Sequence, residues 1–590
     1  MRPGRFGLIV GLLLNWAGGM PGSWGEDCLM YKYDLRHTGF TPERLSPPLA
    51  LWWKYSTDVD RDNISAPAVA GNMVYYCSLG MVYGLDVETG SKVWEFPTQS
   101  AIRTSPTLAA GLLFVGTDSG DLFALRPEDG KLGWPIGSAI TTDNSRAIRT
   151  PPVVIEGVLY FAADDGKLYA VDSQTGEDIW PRPMQFPHGL ETALCFVGRR
   201  LFFTDRGGVL HLIDLARRQQ LRALTVGRVA SPPVADEQYV YLVGDRRVMA
   251  LTNRSFRLRW HQDLDGFVKG TPTLAHGNLY VTCTDGYVYA FVTRTGQLLW
   301  KQSVENGVLA PATVAGNDLY VGTEGGFVFC LNAATGEVKW KYKLDPRRTS
   351  GESRAVFNVL APPVVANGTL YIMADDGTLY AFRPDVPDVG KPWIEEAQLV
   401  TSASDGSGIA VPLYDEEEIQ ALREDEGDDF KEEDYLQIKG LAARQLPFEF
   451  YALITDEGSG LVEDSIVATL DGNPKPLAYD PKTGALTVTL LEREKARVKP
   501  RLEDGNHTIM VSAKDWFGNE IVRRWTFKVD NRQPLLEPIA PAQPQMPGIG
   551  GEEGGLPGLE RGYPGFGAGR RGRRGRRGGP FGGLFGGFEQ

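Results

Sequence analysis

Apolar residues alternate with small or polar ones in short runs along much of this chain, and the runs recur. The stretch VYGLDVETGSKVW (82–94) returns as LFALRPEDGKLGW (122–134), LYAVDSQTGEDIW (168–180), VYAFVTRTGQLLW (288–300) and VFCLNAATGEVKW (328–340). Weaker copies are LHLIDLARRQQ (210–220), VMALTNRSFRLRW (248–260) and LYAFRPDVPDVGKPW (379–393). The third position is small at Gly84, Ala124, Ala170, Ala250, Ala290, Cys330 and Ala381, with Leu212 the exception, and successive copies lie 40, 46, 42, 38, 40, 40 and 51 residues apart. Period-two alternation bounded by turn residues reads as a half-buried strand, and self-similarity at this period reads as a repeat architecture.

Each copy decodes into four strands. A leading proline (Pro67, Pro106, Pro152, Pro233, Pro272, Pro311, Pro363) opens a short Val/Ala/Thr strand, followed by a Gly or Asn turn and an aromatic strand such as Leu279-Tyr280-Val281. An Asp-Gly turn (Asp165-Gly166, Asp285-Gly286, Asp376-Gly377) leads into the alternating strand. A Thr-Gly pair then supplies positive φ, and four residues later an outer strand carries Trp94, Trp134, Trp180, Trp300 or Trp340. The reading is all-β: an eight-bladed β-propeller over residues 47–395 after a lead-in at 26–46. Leu51-Trp52-Trp53-Lys54-Tyr55 has the outer-strand pattern without a preceding repeat, so it is expected to complete the eighth blade. The tryptophans are expected as packing between blades.

The consensus Ala-x-Asp-x-x-Thr-Gly-x-x-x-Trp resembles the pyrroloquinoline-quinone (PQQ)-type repeat over residues 47–393. That family includes eight-bladed quinoprotein dehydrogenases and non-enzymatic propellers, among them the scaffold lipoprotein of outer-membrane protein assembly. In the dehydrogenases the resemblance implies a quinone held between a tryptophan and a disulfide of adjacent cysteines, with calcium on a quinone carbonyl and an Asp as base. Cys28, Cys77, Cys195, Cys283 and Cys330 include no adjacent pair. Cys77 and Cys283 occupy equivalent places five blades apart, too far for a disulfide, and the cysteines are expected as buried hydrophobes. No cofactor and no catalytic residue is therefore expected, with PQQ and calcium kept for the alternative that this is a PQQ-dependent alcohol or sugar dehydrogenase of divergent site. A third reading, a carbohydrate-processing propeller, would need paired carboxylates facing the channel.

Charge sharpens the domain reading. The first 25 residues (Arg2 and Arg5, an apolar run Phe6 to Trp16, then Ser23-Trp24-Gly25) read as a signal peptide, or a retained anchor, placing the protein in the periplasm, at the cell surface or outside the cell. Residues 415–434 carry twelve acids against Arg423 and Lys431, so 396–435 reads as an acidic linker with a short helix from Glu416 to Arg423. Strands at 448–456, 465–472, 485–492, 507–515 and 523–530 predict a β-sandwich over 436–531. Its strings TDEGSG (455–460) and AKDWFGNE (513–520) resemble bacterial immunoglobulin-like modules. Asp456, Ser459 and Asp464 offer oxygens to calcium or cap turns. Residues 532–590 read as a disordered Pro/Gly/Arg-rich tail. Six arginines between 570 and 577 make it a candidate for envelope or peripheral membrane contact, and Phe581, Phe585 and Phe588 are candidates to insert there.

Candidate binding residues cluster where chains enter the inner strands. Arg103, Arg149 and Lys269 stand three residues before their prolines, and the two longest interblade loops carry Arg146 and Arg354. Together they make an anionic-ligand site at the channel mouth, or else each pairs with a local acid such as Asp143 or Glu352. Arg182, Phe186 and His188 are further rim candidates. The acidic block, with its linker, is long enough to reach that mouth as an internal competitor, with the arginine tail as a rival docking partner. The expected function is an exported, non-enzymatic, monomeric scaffold that binds a protein or an anionic cell-envelope polymer and no nucleic acid.

Overall fold

The computed structural model describes residues 27–536 apart from 58–64, 136, 228–230, 345–357, 403, 405–407, 427–439, 444–447 and 492–500. Each repeat becomes one antiparallel sheet, and eight such sheets carry the repeats among the described residues. In the first, Ala68–Ala70, Met73–Ser78, Met81–Asp86 and Lys92–Pro97 follow one another in space as in sequence. The eighth has only three strands of its own, Val364–Ala366, Thr369–Met373 and Leu379–Arg383. Its outer place is taken by Ala50–Tyr55, with Leu51 opposite Phe382 and Trp53 opposite Ala381, the pairing expected from the outer-strand pattern.

The cores lie between sheets. Tyr75, Cys77 and Trp94 of the first sheet pack with Leu113, Val115 and Leu125 of the second. The same arrangement passes from sheet to sheet until Tyr371, Leu379 and Ala381 of the eighth meet Val69, Tyr76 and Leu85 of the first. The ring is therefore closed by packing as well as by strand pairing.

A single contact repeats at the rim of these seams. The indole N–H of the outer-strand tryptophan donates to a turn carbonyl of the next sheet: Trp53 to Val87, Trp94 to Pro127, Trp134 to Ser173, Trp260 to Thr293 and Trp300 to Ala333, at 2.7–3.1 Å. Each accepting residue stands three positions before a turn glycine, which explains why that position is Gly twice over. Gly90 (φ +66°) and Gly296 (φ +73°) lie in the left-handed region, and a β-carbon there would fall 2.5 Å from the Trp53 ring and 2.6 Å from the Trp260 ring. The fourth repeat lacks both residues and substitutes arginine for each. Arg218 (φ +51°) holds the glycine position and lies over Trp180, 4.9 Å from the ring centre. Arg222, at the tryptophan position, donates from Nε to the Arg254 carbonyl at 3.0 Å.

The eighth repeat has no Thr-Gly turn; its sequence there is PDVPDVGKP (384–392). Trp340 of the seventh sheet, fully buried, donates instead to the carbonyl of Ser459 in the second domain, at 2.8 Å. Around it Tyr342 Oη donates to Glu457 O (2.9 Å), Trp516 Nε1 to Lys341 O (2.9 Å) and Leu51 N to Gly458 O (3.0 Å). The second domain thus supplies the turn that the last repeat lacks.

That domain is two sheets around one core containing Phe450, Val488, Val511, Trp525 and Phe527. It begins earlier than the charge pattern suggested. Trp393, which ends the weak eighth copy, is half exposed (52%) and opens the strand Trp393–Ser402, which pairs with Glu449–Thr455. The prolines of 384–392 cannot join a ladder, and the outer place of the eighth sheet is already filled. The expected linker therefore contains Trp393–Ser402, Gly408–Pro412 and the helix Glu416–Glu426. Asp415 and Glu418 at the start of that helix hold Arg523 at 2.6 and 3.0 Å. The remainder of the acidic block beyond residue 426 and the tail from 537 lie outside the described residues.

The lead-in does more than precede the ring. Backbone bonds tie Cys28 to Val69, Leu29 to Leu108, Leu35 to Phe196, Arg36 to Ala235, Thr38 to Leu274 and Gly39 to Val314, and Tyr33 Oη bonds the backbone of Val365. Residues 27–41 thus reach the first strand of seven of the eight sheets and fill the ring's centre. Removing residues 27–56 strips both this plug and the closing strand. The shortened chain should lose its single cooperative transition or melt more than roughly 10 °C lower, at about 2–4 °C per kcal/mol, by calorimetry. An unchanged melting curve would contradict the closure.

Candidate functional site

Two cations named from the sequence meet on one acid. Arg103 Nε donates to Asp118 Oδ2 at 2.9 Å, and Arg149 Nε donates to Asp118 Oδ1 at 3.3 Å. Arg149 Nη1 also reaches Glu191 Oε1 at 2.9 Å. Glu191 is bonded in turn by Arg206, whose Nη2 lies 3.1 Å from Asp164 Oδ2. The Glu191 carboxyl is held below its ordinary range, chiefly by Arg206 and then by Arg149. Sheets two to four therefore share a continuous Arg–carboxylate chain along the side where the inner strands begin.

The other candidates are placed differently. Arg146 follows the short 3-10 turn Asp143–Ser145, and both it and Lys269 are exposed. Neither has an ion-pair partner among the described residues. Arg354 and Glu352 lie outside the described residues. Phe186 is buried against His211, so it serves the core rather than a rim. His188 is half exposed, with its Nδ1 3.2 Å from Asp205, which also meets Nε2 of the buried His211 at 3.0 Å. Arg182 gives its carbonyl to Arg218 Nη2.

Arg206 and Glu191 were missed in reading the sequence. The available signal was the fourth repeat's TDRGG (204–208), which puts arginine where its neighbours have TDSG and ADDG.

All five cysteines are free and buried. Burial pushes the Cys77 and Cys283 thiols up to about 12 and 11, so they are poor nucleophiles.

On the opposite side, where the first strands end, an open cleft of about 710 Å³ lies between the plug and sheets four to six. Asp34, Arg36, Phe40, Asp236 and His276 line it. Asp34 is occupied with local turns, accepting from the amides of Arg36 and Thr38.

Where the second domain meets the ring, Asp388, Asp456 and Asp515 bring carboxylate oxygens within 4.8 Å of one another. Asp456 is 5% and Asp515 2% exposed. Burial, then the charges of Asp388 and Asp515, raises the Asp456 carboxyl to about 6. Asp464, named with Asp456 and Ser459 from the sequence, is exposed and outside this group.

A family profile described as outer membrane protein assembly factor BamB matches residues 50–223 and 214–433. The chain belongs to that family. The BamB-family match takes in all eight repeat sheets and stops short of the strand Glu449–Thr455. The outer membrane protein assembly factor BamB of Xanthomonas campestris pv. campestris is 37% identical over 79 residues, covering 12% of this chain and 20% of that protein. The chain thus aligns with about a fifth of that curated relative. Among solved structures, BamB from Moraxella catarrhalis shares 18% identity over 58% of this chain and 99% of its own, with a TM-score of 0.46. A europium-containing methanol dehydrogenase shares 13% over 59% and 89%, with a TM-score of 0.48. No described helix is long and apolar enough to cross a membrane.

Inside this BamB-family ring, the plug carries a titratable group. Lys32 is buried, and its Nζ donates to Thr273 Oγ1 (2.6 Å) and to the Ala312 carbonyl (2.9 Å). Burial lowers its pKa from 10.5 to about 7. Between these values the unfolded chain binds a proton that the folded chain does not, so stability climbs as pH rises from about 7 toward 10.5 and is least at and below pH 7. Denaturant midpoints at pH 7 and pH 9 should therefore differ in wild type, higher at pH 9, and the difference should shrink in Lys32→Met.

Proposed function

We propose that this chain is an exported, non-enzymatic propeller scaffold that binds anionic segments of partner proteins at the face where its inner strands begin. The observation that carries the reading is the filling of the ring by residues 27–41, which turns the propeller into a solid support with working surfaces on its faces. Its membership of the BamB family supports the same reading.

The arginine chain suits such a task. Asp118 and Glu191 hold the guanidinium groups of Arg103, Arg149 and Arg206 in place while leaving other N–H donors on each fork. Preorganised cations lose less side-chain entropy when a ligand arrives. Arg146 and Lys269, exposed and without an ion-pair partner among the described residues, add charge that would steer an acidic partner and be screened by salt.

A dehydrogenase of this architecture would need a quinone pocket. The cysteine sandwich that the resemblance implies has no counterpart, since the five cysteines are dispersed, buried and free. The eight repeats, the second domain and the acidic stretch are proposed as one exported unit, with the immunoglobulin-like character of the second domain part of that proposal.

Two measurements test the reading. Immobilised acidic peptide should retain the purified chain at low salt and release it by about 0.5 M salt. The double variant Arg146→Glu, Lys269→Glu should weaken retention at least about fivefold, on the order of 1 kcal/mol. Retention unchanged by salt and by both substitutions would refute the site, while retention of an anionic polysaccharide but not of peptide would reassign the partner. In parallel, the chain offered PQQ, calcium and alcohols or sugars should reduce no electron-acceptor dye, and turnover abolished by chelation would overturn the non-enzymatic reading.

A further inference from the structure

We propose that Asp388, Asp456, Asp515 and Ser459 form a calcium site that welds the second domain to the ring. The three carboxylates come from three places. Asp388 lies in the chain leaving the eighth sheet, Asp456 just after the strand Glu449–Thr455, and Asp515 at the end of Gly505–Asp515. Their ligand oxygens lie within 4.8 Å of one another, and two oxygens on opposite sides of a calcium ion at about 2.4 Å are about 4.8 Å apart. All the donors are hard oxygens, the set that calcium takes and zinc or copper does not favour.

Charge and the local hydroxyl both point to a cation. Two of the carboxylates are almost wholly buried, and among the described residues none of the three forms an ion pair with Lys, Arg or His. Their hydrogen bonds come from neutral donors. Ser459 N reaches Asp388 Oδ2 (2.7 Å), Gly460 N reaches Asp456 Oδ2 (2.7 Å), and Asn519 N and Nδ2 reach Asp515 (2.8 and 2.7 Å). Such bonds do not neutralise three charges in a low-dielectric seam. Independently, the hydroxyl of Ser459, a fully buried residue, has no hydrogen-bond partner among the described residues. Its own amide donates to Asp388 Oδ2 at 2.7 Å, and the hydroxyl is three bonds from that nitrogen. A buried hydroxyl without a partner is destabilising, and a bound cation with its water would relieve it.

The site sits beside the contacts that replace the missing eighth turn. Ser459 gives its carbonyl to Trp340 and its amide to Asp388, and Asn519 Nδ2 donates to the Asp388 carbonyl at 2.9 Å. A bound ion would fix all three loops at once.

The full chain, stripped with chelator, should be titrated with terbium, calcium and magnesium. Trp516 adjoins Asp515 and Trp340 touches Ser459, so terbium emission excited through tryptophan should rise severalfold and be displaced by calcium well before magnesium. Calcium should also raise the melting temperature and slow hydrogen exchange at 456–460 and 515–519. Asp388→Asn, which keeps an acceptor for the Ser459 amide, should weaken calcium at least about tenfold while leaving the calcium-free melting temperature within a few degrees. Should Asp456→Asn fail to fold, Asp388→Asn and Ser459→Ala still decide. No calcium-dependent change in emission, melting or exchange at millimolar concentration, or equal affinity in Asp388→Asn, would overturn the proposal.

Discussion

One hydrogen bond organises the ring: an outer-strand indole donating to a turn carbonyl of the next sheet, with the turn glycine pressed flat against the same ring. Each bond is worth only about 0.5–1.5 kcal/mol net. It nevertheless fixes how far one sheet stands from the next, because the bare glycine allows the indole closer than any side chain would. The buried cores between sheets supply most of the stabilisation, and the indole contact sets their registration. Where the repeat loses these residues, the chain provides a replacement: Arg218 and Arg222 in the fourth repeat, and the loop around Ser459 after the seventh. The second domain is therefore a structural part of the ring's last seam. Its attachment there explains why Trp340 and Tyr342 are among the most deeply buried aromatic residues of the chain.

Much of this was legible in the sequence, because the repeat is written in residues whose roles are local. The Thr-Gly turn, the tryptophan four residues on and the small third-position residue all act within one sheet or across one seam, so their spacing alone carries the fold. The unmatched Leu51 to Tyr55 strand announced the closure for the same reason. The start of the second domain was hidden because its first strand carries a tryptophan only two residues beyond the place the repeat would put one, so it ends a weak eighth copy. Only pairing of Trp393 with Thr455 distinguishes it from a blade strand. The plug was hidden too. Residues 27–41 have no strand periodicity, since their partners are the first strands of seven different sheets and three non-glycine residues, Lys32, Tyr33 and His37, take positive φ.

The arginine–carboxylate chain was legible only in part. Arg103 and Arg149 were recognisable by their fixed offset from the leading proline, but their shared partner Asp118 is a turn residue whose side chain is aimed by tertiary structure. Arg206 and Glu191 come from a repeat that departs from consensus, and a reading built on consensus passes over departures. Asp456 and Ser459 were picked out by a local turn motif, whereas Asp515 joins them through strand pairing, with Leu461 opposite Asp515, and Asp388 comes from the chain that leaves the ring. In both places the first residue was readable from local spacing and its companions required the fold.

The central claim, that the second domain stands in for the missing turn of the eighth repeat, is tested most directly by hydrogen exchange on a chain ending at residue 392. The account predicts faster exchange concentrated in Val338–Lys343 and Ala50–Tyr55, the strands that lose Ser459, Gly458 and Trp516, with Lys92–Pro97 and Leu298–Ser303 unchanged. Exchange in all four strands equal to that of the full chain would contradict it.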